Sequence, residues 1–145
     1  MRLVIAVNGY TLAQLQGNEA LAIAFLPRGA EALLSSAQPV NEGRLEAAIE
    51  TAEDWLMPHT ARLRGEVLEV EDVTGRLKAG LRDVLSVTPS EWRIDDIERF
   101  FLSLVEMATG RTAPPVLQGK SAFIADVLLL RELAHHGQLS AIRLC

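Results

Sequence analysis

Two adjacent histidines, His135 and His136, are the residues in this sequence that most suggest chemistry. Imidazole titrates near neutral pH and binds metal ions, so such a pair could transfer protons or hold a cation. Neighbouring residues of a helix point about 100° apart, however, so the two rings do not face one ion. The other imidazole and thiol donors are His59 and Cys145, whereas a zinc site needs about three or four ligands. We therefore predict no metal site and keep His135, His136 and His59 as the candidates for catalysis.

The tripeptide Gly119-Lys120-Ser121 stands at the expected start of a helix, where a phosphate-binding loop would end. That motif needs a glycine five residues before its second glycine, and this sequence has Pro114 there. A proline ring neither donates a backbone N–H nor makes the turn that the glycine supplies. We therefore predict no nucleotide and no other cofactor, and expect Ser121 to cap the helix.

Acidic residues form two groups that could run acid–base chemistry or bind divalent cations if they were buried and convergent. The members are Glu66, Glu69, Glu71 and Asp72 in the first group, and Asp95, Asp96 and Glu98 in the second. We expect the first group to be a solvated strand edge, where charge discourages edge pairing. The second group suits the positive end of a helix dipole.

Charge and composition exclude several classes of protein. Fourteen Lys and Arg against 19 Asp and Glu give a net charge of -5, which repels polyphosphates and argues against nucleic acid as a partner. No Gly-x-Ser-x-Gly elbow or glycine-rich dinucleotide turn is present. The opening apolar run covers only 3–7, too short for a secretory signal, and no run approaches the ~20 residues of a membrane span. We predict a cytoplasmic protein with no membrane contact.

The first half of the chain is predicted to contain three strands and one helix. Residues 2–7 include the β-branched Val4, Ile5 and Val7 and end at Asn8-Gly9, a dipeptide typical of tight turns. Residues 19–26 end at Pro27. Both are predicted strands. The apolar residues of 41–57 recur every three or four positions after Asn41, which predicts a capped amphipathic helix. A third strand is predicted over 63–70.

The second half is predicted to be helical. Residues 76–85 carry apolar side chains at helical spacing, which predicts a helix whose stability Gly80 lowers. Thr88-Pro89-Ser90-Glu91 has the pattern of a helix start and leads into a second helical stripe of apolar residues over 94–108. The segment 111–119 is predicted to be a loop. The helix predicted over 121–136 is apolar around more than half its girth, so we expect it to be central and buried, followed by a short strand or turn over 139–144.

These elements predict a single α+β domain, 1–145, mostly helical, with three or four short strands, five helices and a buried C-terminal helix. The 145 residues, 49% of them apolar, suffice for one core without disulfides. The helices carry more apolar surface than so few strands could cover. We therefore expect the excess to be buried between identical subunits, with Trp92, Phe100 and Phe101 as anchors if they are exposed.

The sequence thus favours a non-enzymatic accessory or adaptor protein that binds itself, another protein, or both, and is homodimeric. Two other interpretations stay open. One is a small enzyme or ligand-binding protein that uses His135 and His136 in a pocket, with His59 or an acidic partner. The other is a regulatory DNA-binding module, which would need a basic face that the scattered arginines do not provide.

Overall fold

The centre of the structure is a mixed sheet of six strands in the order β3-β2-β1-β4-β6-β5. The computed structural model describes residues 1–86, 88–110 and 114–145. Its strands are β1 (Arg2–Ala6), β2 (Gly9–Gln16), β3 (Glu19–Pro27), β4 (Val67–Asp72), β5 (Glu91–Trp92) and β6 (Ala141–Leu144). The first three form an antiparallel meander, whereas β1, β4 and β6 are mutually parallel. These three strands therefore end at one edge of the sheet, which we call the carboxyl edge.

The hairpin between β1 and β2 follows from its sequence. Leu3 and Ile5 are fully buried and alternate with half-buried neighbours, as expected for a strand that faces a core on one side. Gly9 begins β2 directly after the turn, opposite Ala6. A Cβ on Gly9 would lie 2.5 Å from the carbonyl oxygen of Leu26, so the close approach of β3 requires glycine here.

The helices form one layer around the C-terminal helix. They are α1 (Ala30–Leu33), α2 (Glu42–Leu56), α3 (Thr60–Leu63), α4 (Arg76–Leu85), α5 (Ile94–Thr109) and α6 (Ser121–Gly137). Each of α1 to α5 contacts α6, which is buried from Phe123 through Leu130. The sheet supplies Leu3, Ile5 and Leu68 to the same core. On the opposite face of the sheet, half-exposed Arg2 pairs with Glu69 at 3.0 Å.

Several predicted elements are confirmed. Strands β1 and β3 occupy the predicted segments, and α2 begins where Asn41 Oδ1 accepts a hydrogen bond from the Arg44 backbone N–H at 2.9 Å. Helix α6 is the buried central helix that its composition predicts. None of the described helices combines the length and the apolar composition that a bilayer crossing requires.

The predicted fold class is wrong in its strands and in their arrangement. The described chain is 51% helical but holds a six-stranded mixed sheet, not three or four short strands. Strand β2 was not predicted. In the third strand, predicted over 63–70, Leu63 instead ends helix α3 and β4 begins at Val67. The segment Thr88-Pro89-Ser90-Glu91 does not begin a helix: Glu91 pairs in β5, and α5 begins at Ile94, where Asp96 Oδ2 accepts a hydrogen bond from the Arg93 backbone N–H at 3.2 Å.

The predicted loop over 111–119 is described by the structure from residue 114 onward. Residues 111–113 lie outside the described residues, and Pro115–Leu117 form one 3₁₀ turn.

Candidate functional site

Polar residues gather where β1 and β4 end at the carboxyl edge. Asn8 follows β1 and is exposed, Asp72 is the last residue of β4, and Thr74 lies in the loop to α4. The two segments are held together because the Val73 N–H donates to the Ile5 carbonyl at 2.9 Å. Ligands of α/β sheets bind outside the carboxyl ends of the strands, so this edge is the place in the fold to look for a site.

Asp72 caps α4 and uses the amides that would otherwise bind an anion. Its Oδ1 accepts from Gly75 N–H at 2.9 Å, and its Oδ2 accepts from Leu77 N–H at 3.0 Å and Lys78 N–H at 3.2 Å. The carboxylate therefore occupies the position that a bound phosphate takes at a helix N-terminus. The amides of α4 alone do not make an anion site.

Behind the edge, a buried carboxylate joins three elements of the fold. Asp126 of α6 is 0% exposed and accepts from the Tyr10 hydroxyl at 2.6 Å. It also accepts from Arg76 through Nε and Nη2, each at 2.8 Å. The Arg76–Asp126 pair has the two-pronged geometry in which guanidinium and carboxylate bind most strongly. Strand β2, helix α4 and helix α6 are thus tied together by one acid.

The surroundings of this trio fix its protonation. Burial raises the pKa of Asp126, and the hydrogen bonds from Arg76 and Tyr10 oppose that rise. Burial and the Asp126 charge raise the pKa of Tyr10 well above its usual value. The bond to Asp126 raises the pKa of Arg76 beyond any physiological pH. Arg76 is therefore a permanent cation and Tyr10 a permanent hydrogen-bond donor.

Arg76 retains donors for a ligand. Its side chain is 24% exposed, and Asp126 takes Nε and Nη2 only. Among the described residues, no group bonds to Nη1. A guanidinium fixed on one side by a buried acid, with free N–H groups on the other, is suited to bind a phosphate or carboxylate.

A cavity of ≈390 Å³ opens at the start of α6. Gly119, Lys120 and Ser121 line it together with the chain after α1 and the end of α5. Lys120, and not the expected Ser121, occupies the cap position, without a side-chain cap bond. Lys120 Nζ instead lies 2.7 Å from Asp83 Oδ2 on α4. Helix α4 therefore runs from the trio toward the cavity. The trio and the cavity both lie toward the N-terminal end of α6.

The predicted histidines lie elsewhere, and the rings of His135 and His136 pack edge to face with their centroids 5.0 Å apart. His136 is 2.9 Å from Glu53 Oε1 and 3.2 Å from Glu132 Oε2, whereas His135 is exposed. His59 lies in the turn after α2, where burial lowers its pKa. None of the three lines the cavity at the start of α6.

The three predicted interface aromatics are enclosed within the single chain. Trp92, Phe100 and Phe101 are 5%, 8% and 4% exposed. The Trp92 and Phe100 rings pack 5.5 Å apart, and Phe100 contacts Phe123 of α6. Because the sheet and α6 cover them, the condition of exposure that made them interface anchors is not met.

Sequence reasoning missed the trio, although one of its members gave a signal. Asp126 is the one charged residue in the run from Phe123 to Leu130. An acid inside a helix that is apolar around most of its girth must find donors when the helix is buried. Nothing in the sequence identified Tyr10 and Arg76 as those donors, because they lie 116 and 50 residues away.

Comparison with known proteins finds similarity in structure only. The sequence matches no family model and no curated protein. The type II variant of the Aquifex aeolicus Ppx/GppA phosphatase superposes with a TM-score of 0.67 at 10% identity, covering 99% of this chain and 52% of that one. An Aquifex aeolicus PPX-GPPA enzyme gives a TM-score of 0.68 at 11% identity, with the same shares covered. The chain thus has the actin-like fold of these proteins and spans about half of their length.

These similarities overturn the interpretation as a non-enzymatic adaptor. The structural neighbours are phosphatases. Of the alternatives raised by the sequence, the enzyme or ligand-binding protein agrees better with the comparison. Its histidine pocket stays a prediction, and the carboxyl edge with the Arg76 trio is a second candidate site.

Proposed function

We propose that this chain is one lobe of a hydrolase acting on phosphate esters or anhydrides, and that it binds the phosphoryl group of its substrate at the carboxyl edge. The fold of Ppx/GppA phosphatases over 99% of the chain supports this reaction class. The chain spans about half of those enzymes, so a second lobe completes the site. That lobe belongs to the same polypeptide, to a second copy or to another protein.

One observation carries the proposal: Arg76 is fixed at the carboxyl edge by Asp126 and keeps Nη1 free of described partners. Phosphoryl transfer places developing negative charge on the phosphoryl oxygens, and catalysis consists mainly of positioning and neutralising that charge. An arginine whose side chain is already immobilised needs little reorganisation to do so. Arg76 is therefore the residue expected to touch substrate, and Tyr10 and Asp126 are positioning residues.

The remaining edge residues fit this arrangement. Asn8 is exposed at the end of β1 and offers an amide that can orient a phosphate oxygen or a water. Asp72 is fully engaged by the α4 amides and by Thr74 Oγ1 at 2.7 Å. It is therefore a structural cap. The net charge of -5 repels phosphates at long range, so recognition depends on the local cation at position 76.

The test is turnover of p-nitrophenyl phosphate with Mg²⁺, comparing Arg76→Lys with Arg82→Lys. Lysine keeps the ion pair with Asp126, but lacks the planar fork that binds two partners at once. Loss of one such donor reduces kcat by ~10²-fold or more. Arg82 lies exposed on the same helix, so its variant keeps wild-type activity. Equal turnover by the two variants would contradict the assignment of Arg76.

Binding is measured alongside turnover, because a missing second lobe would abolish catalysis. Calorimetric titration with pyrophosphate is expected to show one site in the wild type and in Arg82→Lys, and at least ~10-fold weaker binding in Arg76→Lys. Absence of both binding and turnover in the wild type would refute a phosphoryl site on this chain.

A further inference from the structure

Three potential metal ligands converge at the end of the molecule opposite the carboxyl edge. Glu53 of α2 and Glu132 and His136 of α6 each offer a ligand atom, and these atoms all lie within 4.8 Å of one another. Helix α6 ends here, beside the start of β4. The two are joined by a hydrogen bond from the N–H of Gly65, which precedes β4, to the carbonyl of Gln138, which follows α6, at 2.9 Å. The cluster is therefore separate from the proposed phosphoryl site, and its chemistry does not depend on that proposal.

Glu132 is the member that ordinary ion pairing leaves incomplete. Its side chain is 0% exposed, and its Oε1 pairs with Arg131. Its Oε2 is buried and lacks a hydrogen bond from any described residue, although His136 Nε2 lies 3.2 Å away. A buried carboxylate oxygen without a donor is rare and costly. This oxygen therefore indicates a missing electropositive partner.

His136 does not supply that partner. Its Nε2 lies 2.9 Å from Glu53 Oε1, at hydrogen-bond geometry. A ring nitrogen carries at most one proton, so a bond to Glu53 leaves Oε2 of Glu132 facing the same nitrogen without a hydrogen between them. A divalent cation placed among the three groups would satisfy both carboxylates and the ring at once.

The donor set and its spacing suit a first-row transition metal. His136 follows Glu132 by four residues on α6 and so shares its face of the helix, and Glu53 completes the set from α2. Zinc ligands at ~2.1 Å in a tetrahedron lie about 3.4 Å from one another, close to the observed 2.9 and 3.2 Å. One imidazole and two carboxylates are ligands for Zn²⁺ and Mn²⁺, with Zn²⁺ binding more tightly.

Charge and access agree with a cation. The two carboxylate ligands and Glu98 carry three negative charges, and Arg131 supplies one positive charge through its bonds to Glu98 and Glu132. Carboxylates therefore outnumber guanidinium groups three to one in this group. The Glu53 and His136 side chains are 37% and 29% exposed, so an ion can enter from solvent. Arg131 also holds the Glu132 carboxylate in position by a hydrogen bond, as residues that contact metal ligands commonly do.

We propose that Glu53, Glu132 and His136 bind one divalent transition-metal cation, Zn²⁺ by preference over Mn²⁺, between α2 and α6. The three protein ligands leave a fourth position for water. The contrasting account is an ion pair in which protonated His136 bridges the two carboxylates and no metal binds. The sequence pattern alone did not indicate the site, because Glu53 lies 83 residues from His136.

The test is calorimetric titration of chelator-treated, untagged protein with ZnCl₂, and with MnCl₂ for selectivity. We expect one site in the wild type, and binding weakened at least ~30-fold in His136→Ala and in Glu53→Gln. Glu50→Gln on α2 and His59→Ala after α2 are the controls, because neither residue belongs to the three-ligand cluster. His135 is unsuitable as a control, since its ring packs 5.0 Å from that of His136. Circular dichroism establishes that each variant is folded, and half-exposed Glu53 provides a ligand variant that does not disturb the core.

Two results would overturn the proposal. One is the absence of a stoichiometric Zn²⁺ site in the wild type, which would establish the ion-pair account. The other is equal weakening in His59→Ala and His136→Ala, which would place the ion elsewhere. A rise in thermal midpoint on adding Zn²⁺, seen in the wild type and lost in Glu53→Gln, would support the site independently of the calorimetry.

Discussion

Asp126 is the residue on which the proposed site depends. It is 0% exposed, and an unpaired carboxylate in such a place would be strongly destabilising. Three hydrogen bonds from Tyr10 and Arg76 offset that cost. A hydrophobic residue would serve the core as well or better, so the function of the acid is to hold Arg76 at the carboxyl edge.

Replacing Asp126 by alanine should destabilise the fold by ~3–5 kcal/mol, because Arg76 and the Tyr10 hydroxyl then lose their buried acceptor. The double variant Asp126→Leu with Arg76→Met should recover much of this loss, since neither charge remains. Guanidinium unfolding at neutral pH measures both effects. A loss below ~1 kcal/mol for Asp126→Ala would show that the trio is not buried as described.

Tyr10 reports on the same trio by its titration, since it is the only tyrosine in the chain. Burial and Asp126 raise its pKa well above 10.0. The protonated phenol therefore stabilises the fold below its unfolded pKa, and this stabilisation is lost as pH rises through the folded value. Absorbance at 295 nm should show no phenolate in the native protein near pH 10, where the unfolded protein is half titrated. A midpoint near pH 10 for the titration of Tyr10 in the native protein would contradict the buried hydrogen bond to Asp126.

At the scale of elements, periodic segments could be predicted from the sequence and irregular ones could not. Helices α2 and α5 carry clear apolar stripes. Helix α2 lies close to its predicted bounds, whereas α5 covers its predicted stripe but begins at Ile94 and not at Pro89. Strand β2 was missed because a register shift between Leu12 and Ala13 breaks its alternation. Strand β5 has only two residues, and its flanking Thr-Pro-Ser-Glu has the pattern of a helix start. Tertiary pairing with β6 decides its conformation.

Glycine 80 illustrates how packing reverses a propensity argument. The sequence suggests that Gly80 weakens α4, yet a Cβ there would lie 2.2 Å from the Phe123 ring. Gly80→Ala should therefore destabilise by ~1–3 kcal/mol through overpacking. Gly43→Ala on α2 is the matched control, because its nearest neighbour is Asn41 Oδ1 at 3.5 Å. It should stabilise by up to ~1 kcal/mol. Thermal unfolding separates the two, and a stabilising Gly80→Ala would show that α4 and α6 pack less closely.

At the scale of the whole molecule, chain order explains why the predicted architecture was wrong. Strands β1, β4 and β6 pair in parallel although helices separate them in sequence. Sequence patterns locate elements but do not reveal such crossovers. The parallel arrangement creates the carboxyl edge and places Asn8, Asp72 and Arg76 there, so the site could not be predicted without the topology. The buried helix α6 was predicted, but not that it carries one candidate site toward each end.

The most direct test of the phosphoryl site is a nuclear magnetic resonance titration of ¹⁵N-labelled protein with pyrophosphate. The Arg76 side-chain Nε resonance and the backbone amides of Asn8, Gly9 and Gly75 should shift most. The resonances of the backbone amides around His136, at the other end of α6, should not shift. Shifts confined to the His136 end, or none at any concentration that calorimetry can reach, would contradict a phosphoryl site at the carboxyl edge.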